Sequence, residues 1–565
     1  MERDFDFVGL EIHSSRMWQL AQVDRAISFM AENGFNALIF HQSDMMNRLV
    51  LPEKYVTVKT MWEEFSALRY FDIENNQNYI NLVARRAKRR GIGFYLNFKE
   101  IFYPDEIPEL YPFLMNPENA VVCPSHPFWP EYIEACVEEL CQRVPELSGV
   151  ILSAGTHESR TSMTRQNPCG CERCRSMDAE QWYCNLFSAV YRPLKKHGIP
   201  LIVRDFTFTK GAQSTLLRAA EKAAPDVIVA LKNTPHDYYP TFPNNPKIGT
   251  TKHREYVEFD TWGQFFGAGF FPVSIAEDLQ QRMRFCRTKG VRGVWFRTDW
   301  EGMYENSTFN SCNMLNLYAA GRLAQNADAD LDSVYQMWGM RGWIDSLQSG
   351  SYLPEPSAPK NPSAWKHMRT FMQASWQVMR KTVYVRDHWF CEDNMFPDSL
   401  DKAFKMMVKV HGRDDWEPGA SQRLDPAKEE NLLEIRREKQ QALEQVEELR
   451  GLLAPEECEF SETTICQIDK LLALYRQYVE IGKHSCDVVF LTLLAERDRT
   501  ETNRFAAKQA IKALLDVCTR TERMLAEGDD DYPQIVYWLL NVQRMKLLAA
   551  DAERILQEPQ EEITL

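Results

Sequence analysis

Carboxylates, cations and tryptophans recur in this chain at the ends of short apolar runs, a placement suited to acid–base chemistry on a polar substrate. After the run at 227–231 come Lys232, Asn233, His236 and Asp237, and within and after 256–259 come Glu258, Asp260, Trp262 and Gln264. Other runs end in Glu11 and His13, in His41 and Asp44, in Asn97, Lys99 and Glu100, and in Thr156, His157 and Glu158. Further ends carry Arg204 and Asp205, then Arg297, Asp299 and Trp300. Taken singly, a rim carboxylate is most often a loop hydrogen-bond acceptor; the convergence of carboxylates, cations and tryptophans is what favours a sugar site. Glycoside hydrolysis needs one carboxylic acid to protonate the leaving oxygen and one carboxylate on the other face of the ring, about 6.5–9.5 Å away in inverting enzymes. Carboxylates on different strands can straddle such a pocket. Trp262, Trp295 and Trp300 could present flat faces to a pyranose ring, although packing accounts for each alone.

The elements that must position these residues follow a repeated grammar. Apolar runs at 7–12, 37–41, 93–98, 149–153, 201–205, 227–231, 256–259 and 293–297 predict eight strands. Helical patterns at 18–33, 130–143, 179–197, 216–224 and 275–289 lie between them, and Gly34, Gly91, Gly198 and Gly290 stop helices just before the next strand. Strand, helix, glycine, strand is the order of a parallel sheet with right-handed crossovers, and eight units favour an α/β fold of the closed (β/α)8 type, a TIM barrel, over residues 1–325. No GxGxxG or Walker loop is present. From 326 to 565 the expectation is an α-helical C-terminal domain, broken after its first helix by the Pro/Ser-rich stretch SGSYLPEPSAPKNPS. Its helical patterns fall at 331–347, 365–385, 426–453, 462–495, 502–526 and 532–556. Leucines on one face and i,i+4 charge pairs on the other make these bundle helices or an oligomer contact.

Bulk composition narrows the function classes. The 565 residues carry a formal charge of −14, 44% hydrophobic and 26% charged residues, which is ordinary for a globular protein. An acidic excess argues against a general nucleic-acid binder, because phosphate binding needs clustered Lys and Arg. No run approaches the ~18 apolar residues of a membrane span, and the first residues lack a signal-peptide pattern, so a cytoplasmic location is expected. The fourteen cysteines are spread along the chain and most fall in apolar helical patterns, as reduced buried thiols do. The exception is CGCERC, where Cys169, Cys171 and Cys174 have the spacing of metal ligands. A structural zinc there needs a fourth ligand from Cys123, Cys184 or a histidine; a compact loop held by thiol packing is the alternative. No Ser/His/Asp ordering or HExxH helix is present.

Several segments resemble the α-glucuronidases of glycoside hydrolase family 67. VIVALKNTPHDYYP resembles that family's VKNGPxDF strand end, EFDTWGQFFG is similar to its ExQxTQEYxG segment, and GVILSAGTHES resembles the strand carrying the NSEG glutamate. NLYAAGRLAQNADADLDSVYQMW is similar to the NLYGFGRLAWNP segment that follows the barrel. The resemblance covers about 200 residues and implies Glu158 as general acid and Asp237 as one of two carboxylates positioning the attacking water. It also places Lys232 near the substrate carboxylate and Arg204 on the fifth strand. Where the second basic carboxylate is expected the chain has Gln264, which cannot act as base; either Asp237 works alone, or Asp260 has taken over, or the chemistry differs.

The expectation is therefore an exo-acting glycosidase for a small oligosaccharide containing a uronic acid, with Glu158, Asp237 and Asp260 as catalytic candidates. Arg204, Lys232, His41, His157, Asn233, Glu258, Trp262, Gln264, Arg297 and Asp299 are the candidate substrate contacts. A β-hexosaminidase-like or other barrel glycosidase, or an inactive carbohydrate-binding barrel, are the alternatives. No cofactor is expected for catalysis, and the expected partners are a carbohydrate and a second copy through the helical domain, with no nucleic acid or membrane.

Overall fold

The computed structural model describes residues 3–156, 158–164, 168–303, 305–348, 354–410, 412–527 and 532–557. Eight parallel strands close into a barrel in chain order: β1 (Phe7–Ile12), β2 (Ala37–His41), β3 (Gly93–Lys99), β4 (Leu147–Ala154), β5 (Leu201–Asp205), β6 (Ile228–Lys232), β7 (Arg254–Asp260) and β8 (Gly293–Arg297), with β8 pairing back to β1. The TIM barrel expected from the sequence is thus the observed fold. Strands β3, β6 and β7 run one residue further toward the mouth than apolarity alone indicates, because Lys99, Lys232 and Asp260 find partners there and need not leave the ladder.

Alternation along each strand decides what the barrel encloses. Phe7, Ala37, Ile39, Tyr95, Ile151, Ile202, Ile228, Ala230, Tyr256 and Trp295 point inward and fill its lower part. Phe7 stacks on Tyr256 at 4.5 Å between ring centroids and meets Tyr95 edge-on at 5.2 Å. Further along the same inner faces, two residues on or, in β1, four, stand Glu11, His41, Asn97, Ser153, Arg204, Lys232, Glu258 and Arg297, all buried. The period of two therefore builds an apolar plug with a charged layer above it. The first crossover helix, Leu20–Asn33, ends on Gly34 in the left-handed conformation (φ 81°), where a Cβ would run into the Gln325 side chain.

Helices Ala364–Val383, Glu429–Leu453, Glu462–Arg497, Glu501–Glu527 and Val542–Gln557 form the C-terminal helical region. Two expected helices are shorter or divided. The helix begun at Leu331 stops at Arg341, because Gly342 takes φ 113° and Trp343 pairs with the Ser357 backbone instead. The last one divides into Gln534–Leu539 and Val542–Gln557. This region also contains a hairpin of β9 (Tyr384–Val385) and β10 (His388–Trp389), turned by Arg386 and Asp387 at φ 49° and 70°. Its seat on the barrel is the loop after β7: Phe271 stacks on Tyr475 at 4.5 Å, and Tyr384 Oη donates to the Phe265 carbonyl at 2.8 Å. Gly269 in that loop has φ 63°, and a Cβ there would lie 2.6 Å from the Trp262 ring. Among the described residues, no helix is long and apolar enough to cross a membrane.

Candidate active site

The charged inner layer is the floor of the barrel mouth, and its members mostly serve one another. Arg204 donates from Nε and Nη2 to the two Glu258 oxygens at 2.6 and 3.0 Å, from Nη1 to Ser153 Oγ at 3.1 Å and from Nη2 to Tyr238 Oη at 2.9 Å. Burial opposes the Arg204 charge, but Glu258 and Tyr238 override it and hold its pKa well above the ordinary value. His41 Nδ1 donates to Glu11 Oε1 at 3.0 Å, and burial together with His13, Lys99 and Arg204 keeps the His41 ring neutral, its pKa well below the ordinary value. His41 Nε2 is buried and has no hydrogen-bond partner among the described residues.

Above this floor stand two carboxylate–lysine pairs and a carboxylate–histidine pair. Lys99 Nζ meets Glu158 Oε2, Lys232 Nζ meets Asp237 Oδ1, and His13 Nε2 meets Glu301 Oε2. His13 Nδ1 must carry a proton, since it faces the His41 carbonyl at 3.0 Å. Burial pushes the Glu301 carboxyl up, but the facing His13 outweighs it and holds it well below the carboxylate range. Around the half-buried Phe206 ring lie Lys232 Nζ at 3.7 Å, Lys99 Nζ at 4.4 Å and the Arg204 guanidinium carbon at 4.9 Å from the centroid. That single ring therefore joins the Glu158 and Asp237 pairs into one constellation. Burial lowers the Lys232 pKa to about 8 against the opposing pull of Asp237. Asp237 takes a positive φ of 46°, and its backbone carbonyl accepts from Thr234 Oγ1 at 2.5 Å, so the β6 loop holds its carboxylate over the mouth in an uncommon conformation.

Glu158 leaves β4 through Gly155, which takes φ 87° where a Cβ would press into Thr207. The Gly155 N–H donates at 2.6 Å to the buried Glu100, and the Glu158 N–H donates to Thr156 Oγ1 at 3.0 Å. The Glu158 side chain is 42% exposed while Lys99 is buried, so the carboxylate faces the open mouth from a fixed cation.

Several residues expected from the sequence to touch substrate hold the scaffold instead. Asp260 accepts through both oxygens from the backbone N–H groups of Trp262, Gly263 and Gln264 at 3.0, 3.1 and 2.8 Å, which shapes the β7 loop. Asp299 is used in the same way: it accepts from the His13 and Ser14 N–H groups at 2.6 and 3.2 Å and from Ser14 Oγ at 2.5 Å. Arg204 and Glu258 are committed to each other, Asn233 is buried with its N–H on the Glu258 carbonyl at 3.0 Å, and Trp295 is inside the plug. Trp262 is buried against Trp300, with ring centroids at 6.1 Å; Trp300 also meets Trp538. Gln264 is a bridge: Arg297 Nη1 donates to its Oε1 at 2.9 Å, and its Nε2 donates to Asp393 Oδ1 at 3.0 Å. His157 lies outside the described residues.

Glu301 and Asp393 were not singled out by sequence reasoning. Glu301 sits four residues beyond β8, where a strand-end search would have reached it with one more turn of loop. Asp393 comes from the helical region, 129 residues after Gln264, and no local pattern marks it. Burial, then the neighbouring Glu392, Glu301 and Asp237 charges, push its carboxyl up to about 6 against the Gln264 hydrogen bond. Glu11, His13 and His41 also offer ligand atoms within 4.8 Å of one another, a proximity their mutual hydrogen bonds account for.

Fold and mouth together define a (β/α)8 barrel with a charged C-terminal rim, completed by a loop from a helical region. No protein-family model matches the chain, and no curated protein does. Among solved structures it is similar to a GH138 enzyme targeting pectin rhamnogalacturonan II, with 11% identity and a TM-score of 0.58 over 92% of this chain and 62% of that one. This chain thus spans less than two thirds of that enzyme's length. It is also similar to the Thermobaculum terrenum O-GlcNAc hydrolase (10% identity, TM-score 0.43, 98% of this chain and 95% of that one) and to a Bacteroides fragilis β-N-acetylhexosaminidase (12%, 0.41, 62% and 75%). At such identities the likeness is one of fold.

Proposed function

We propose that this protein is a glycoside hydrolase acting at the barrel mouth on an oligosaccharide end that bears a carboxylate. The observation that carries this reading is the pair of ionic contacts, Lys99 with Glu158 and Lys232 with Asp237, gathered about Phe206 at the C-terminal end of a closed barrel. Catalytic groups of this fold come from the ends of different strands at that face.

The arrangement couples substrate charge to acid catalysis. Lys99 is engaged by the Glu158 carboxylate. A substrate carboxylate entering between the lysines competes for Lys99 and Lys232. Glu158 is thereby released from its cation and turns toward the leaving oxygen, beside the group that identifies the substrate. Glu158 protonates the leaving oxygen, and Asp237 on the neighbouring quadrant polarises the attacking water. The half-buried rings of Trp300 and Phe206 are the aromatic groups nearest these pairs that could line the approach. The GH138 enzyme targets pectin rhamnogalacturonan II, which makes pectin-derived oligosaccharides the first substrates to test, beside α-glucuronides.

The test is turnover of aryl uronides and pectic oligosaccharides by the wild type and by Glu158→Gln. Loss of about a hundredfold or more in kcat is expected, with recovery on substrates whose leaving group needs no protonation. An intact oligosaccharide retained without cleavage would make the protein a carbohydrate-binding barrel, and unchanged turnover in Glu158→Gln would remove Glu158 as the acid.

A further inference from the structure

The loops after β3 and β4 bring four cysteines together away from the floor residues. Cys123 lies before helix Phe128–Arg143, and Cys169, Cys171 and Cys174 follow the segment that carries Glu158. Their four sulfur atoms all lie within 4.8 Å of one another, with Cys123 Sγ at 3.6 Å from both Cys171 Sγ and Cys174 Sγ. A zinc ion with Zn–S bonds of about 2.3 Å at the centre of a tetrahedron sets its sulfurs about 3.8 Å apart. A disulfide needs about 2.05 Å, and all four cysteines are free thiols. The observed spacing is that of sulfurs around one ion.

The backbone is arranged for the same purpose. Cys171 begins the short helix Glu172–Ser176, which places Cys174 one turn on and on the same side. Asn116 and Asn119 both donate through Nδ2 to the Cys169 carbonyl, at 2.7 and 2.9 Å, and Trp129 Nε1 donates to the Cys123 carbonyl at 2.8 Å. Ser125 Oγ lies 3.0 Å from Cys174 Sγ, a hydroxyl able to donate to a thiolate ligand. Such contacts orient metal-bound thiolates and spread their charge. Cys184, by contrast, points elsewhere, with its thiol 3.6 Å from the Ala219 carbonyl.

We propose that Cys123, Cys169, Cys171 and Cys174 bind one structural zinc ion, which clasps the loop after β3 to the loop after β4. The coordination sphere is closed, since four protein ligands leave no position for substrate, and zinc acts there by folding rather than by chemistry. Thr161 Oγ1 donates to the carbonyl of Val122, the neighbour of Cys123, at 2.9 Å, and Ile101 pairs with Thr161 across a bridge. The clasp therefore fixes the segment that carries Glu158 on both sides. A tetrathiolate also suits a single iron ion, whereas a two-iron cluster would hold its cysteine pairs further apart around bridging sulfides. Zinc is the redox-inert choice for a clasp.

The experiment is metal analysis of the full-length protein purified under reducing conditions without chelator, alongside Cys171→Ser, Cys123→Ser and the control Cys184→Ser. One zinc per chain is expected in the wild type and in Cys184→Ser, and its loss in the two ligand variants. Cobalt reconstitution of the metal-stripped wild type should give the visible bands of a tetrahedral tetrathiolate, and metal removal should lower Tm and expose the 158–176 segment to protease. Wild-type protein without zinc that also fails to take up cobalt would overturn the proposal, as would full zinc retention in Cys171→Ser. Stoichiometric iron would overturn the choice of metal. Should the ligand variants fail to fold, the cobalt spectrum of the wild type decides alone. None of these readouts depends on glycosidase activity.

Discussion

Gln264 ties Arg297 of the last barrel strand to Asp393 of the helical region, with hydrogen bonds of 2.9 and 3.0 Å through the two ends of one amide. Gln264 is therefore a polar bridge between the barrel and the helical region. Through it the helical region contributes a carboxyl to the mouth. Asn394 strengthens the same join, donating from Nδ2 to the Gln264 carbonyl at 2.7 Å and accepting from the Gly267 N–H at 2.9 Å.

Asp393 gives the first prediction, a pH dependence. Its carboxyl is pushed up to about 6 by burial and by the Glu392, Glu301 and Asp237 charges. Above that pH it adds a negative charge beside the others and repels a substrate carboxylate. For an acidic substrate, kcat/KM should fall as pH rises through about 6, with little change for a neutral glycoside bearing the same leaving group. In Asp393→Asn that limb should vanish. A limb that persists in the variant assigns it to another group.

The second prediction separates substrate recognition from catalysis at Lys232. This cation pairs with Asp237 and lies 3.7 Å from the Phe206 ring centroid. Lys232→Met should raise KM for an acidic substrate by roughly 10–100-fold, the worth of one charge-assisted hydrogen bond, while KM for a neutral analogue moves little. Loss of kcat on both substrates alike would report Asp237 left without its cation. Equal KM changes on both would sink the role of Lys232 in recognising charge.

The barrel itself was legible in the sequence because its signal is local: apolar runs of the right length, each reached through a helix and often a glycine. Strand ends were legible only in part. Period-two alternation carries Arg204, Lys232 and Glu258 to one inner face, yet the same alternation points Arg204 at Glu258, and nothing in sequence spacing distinguishes a cation that meets substrate from one spent on a neighbour. Asp260 and Asp299 show the same ambiguity, since carboxylates two residues from a loop N–H are as well suited to shaping the loop as to catalysis. Asp393 was invisible for a different reason: its neighbours are brought to it by the docking of the helical region on the β7 loop, a contact without local periodicity. The cysteine cluster lies between these cases. CxCxxC marks three thiols and leaves the fourth open between Cys123, Cys184 and a histidine, and it is the fold that brings Cys123 beside them.

The third prediction concerns the buried pair under the mouth. Glu258 is fully buried and receives two guanidinium hydrogen bonds from Arg204. Removing one partner strands the other charge away from water, so Glu258→Leu should cost about 3–5 kcal/mol of stability. The double variant Arg204→Met/Glu258→Leu should be more stable than Glu258→Leu alone, since it strands no charge. Denaturant unfolding followed by a fluorescence probe measures both. A double variant no more stable than the single would show that packing, rather than charge pairing, holds this layer.

The fourth prediction tests the support of the Glu158 loop. Glu100 accepts from the Gly155 N–H at 2.6 Å and from Tyr183 Oη at 3.3 Å, and its other oxygen has no partner among the described residues. Burial raises its pKa to about 7 from an ordinary 4.5, against the opposing pull of the nearby Ser162 and Ser159 hydroxyls and of its Gly155 and Tyr183 hydrogen bonds. An acid whose folded-state pKa is raised binds more protons when folded, so its contribution to stability is greatest below pH 4.5 and is lost as pH rises to about 7. At 1.36 kcal/mol per pKa unit the loss amounts to roughly 3 kcal/mol. Glu100→Gln keeps an oxygen for the Gly155 N–H and carries no charge. It should therefore match the wild type in Tm near pH 5 and exceed it at about pH 8. Parallel Tm curves for the two proteins across this range would show that Glu100 does not titrate between them and that the loop is held by its hydrogen bonds alone.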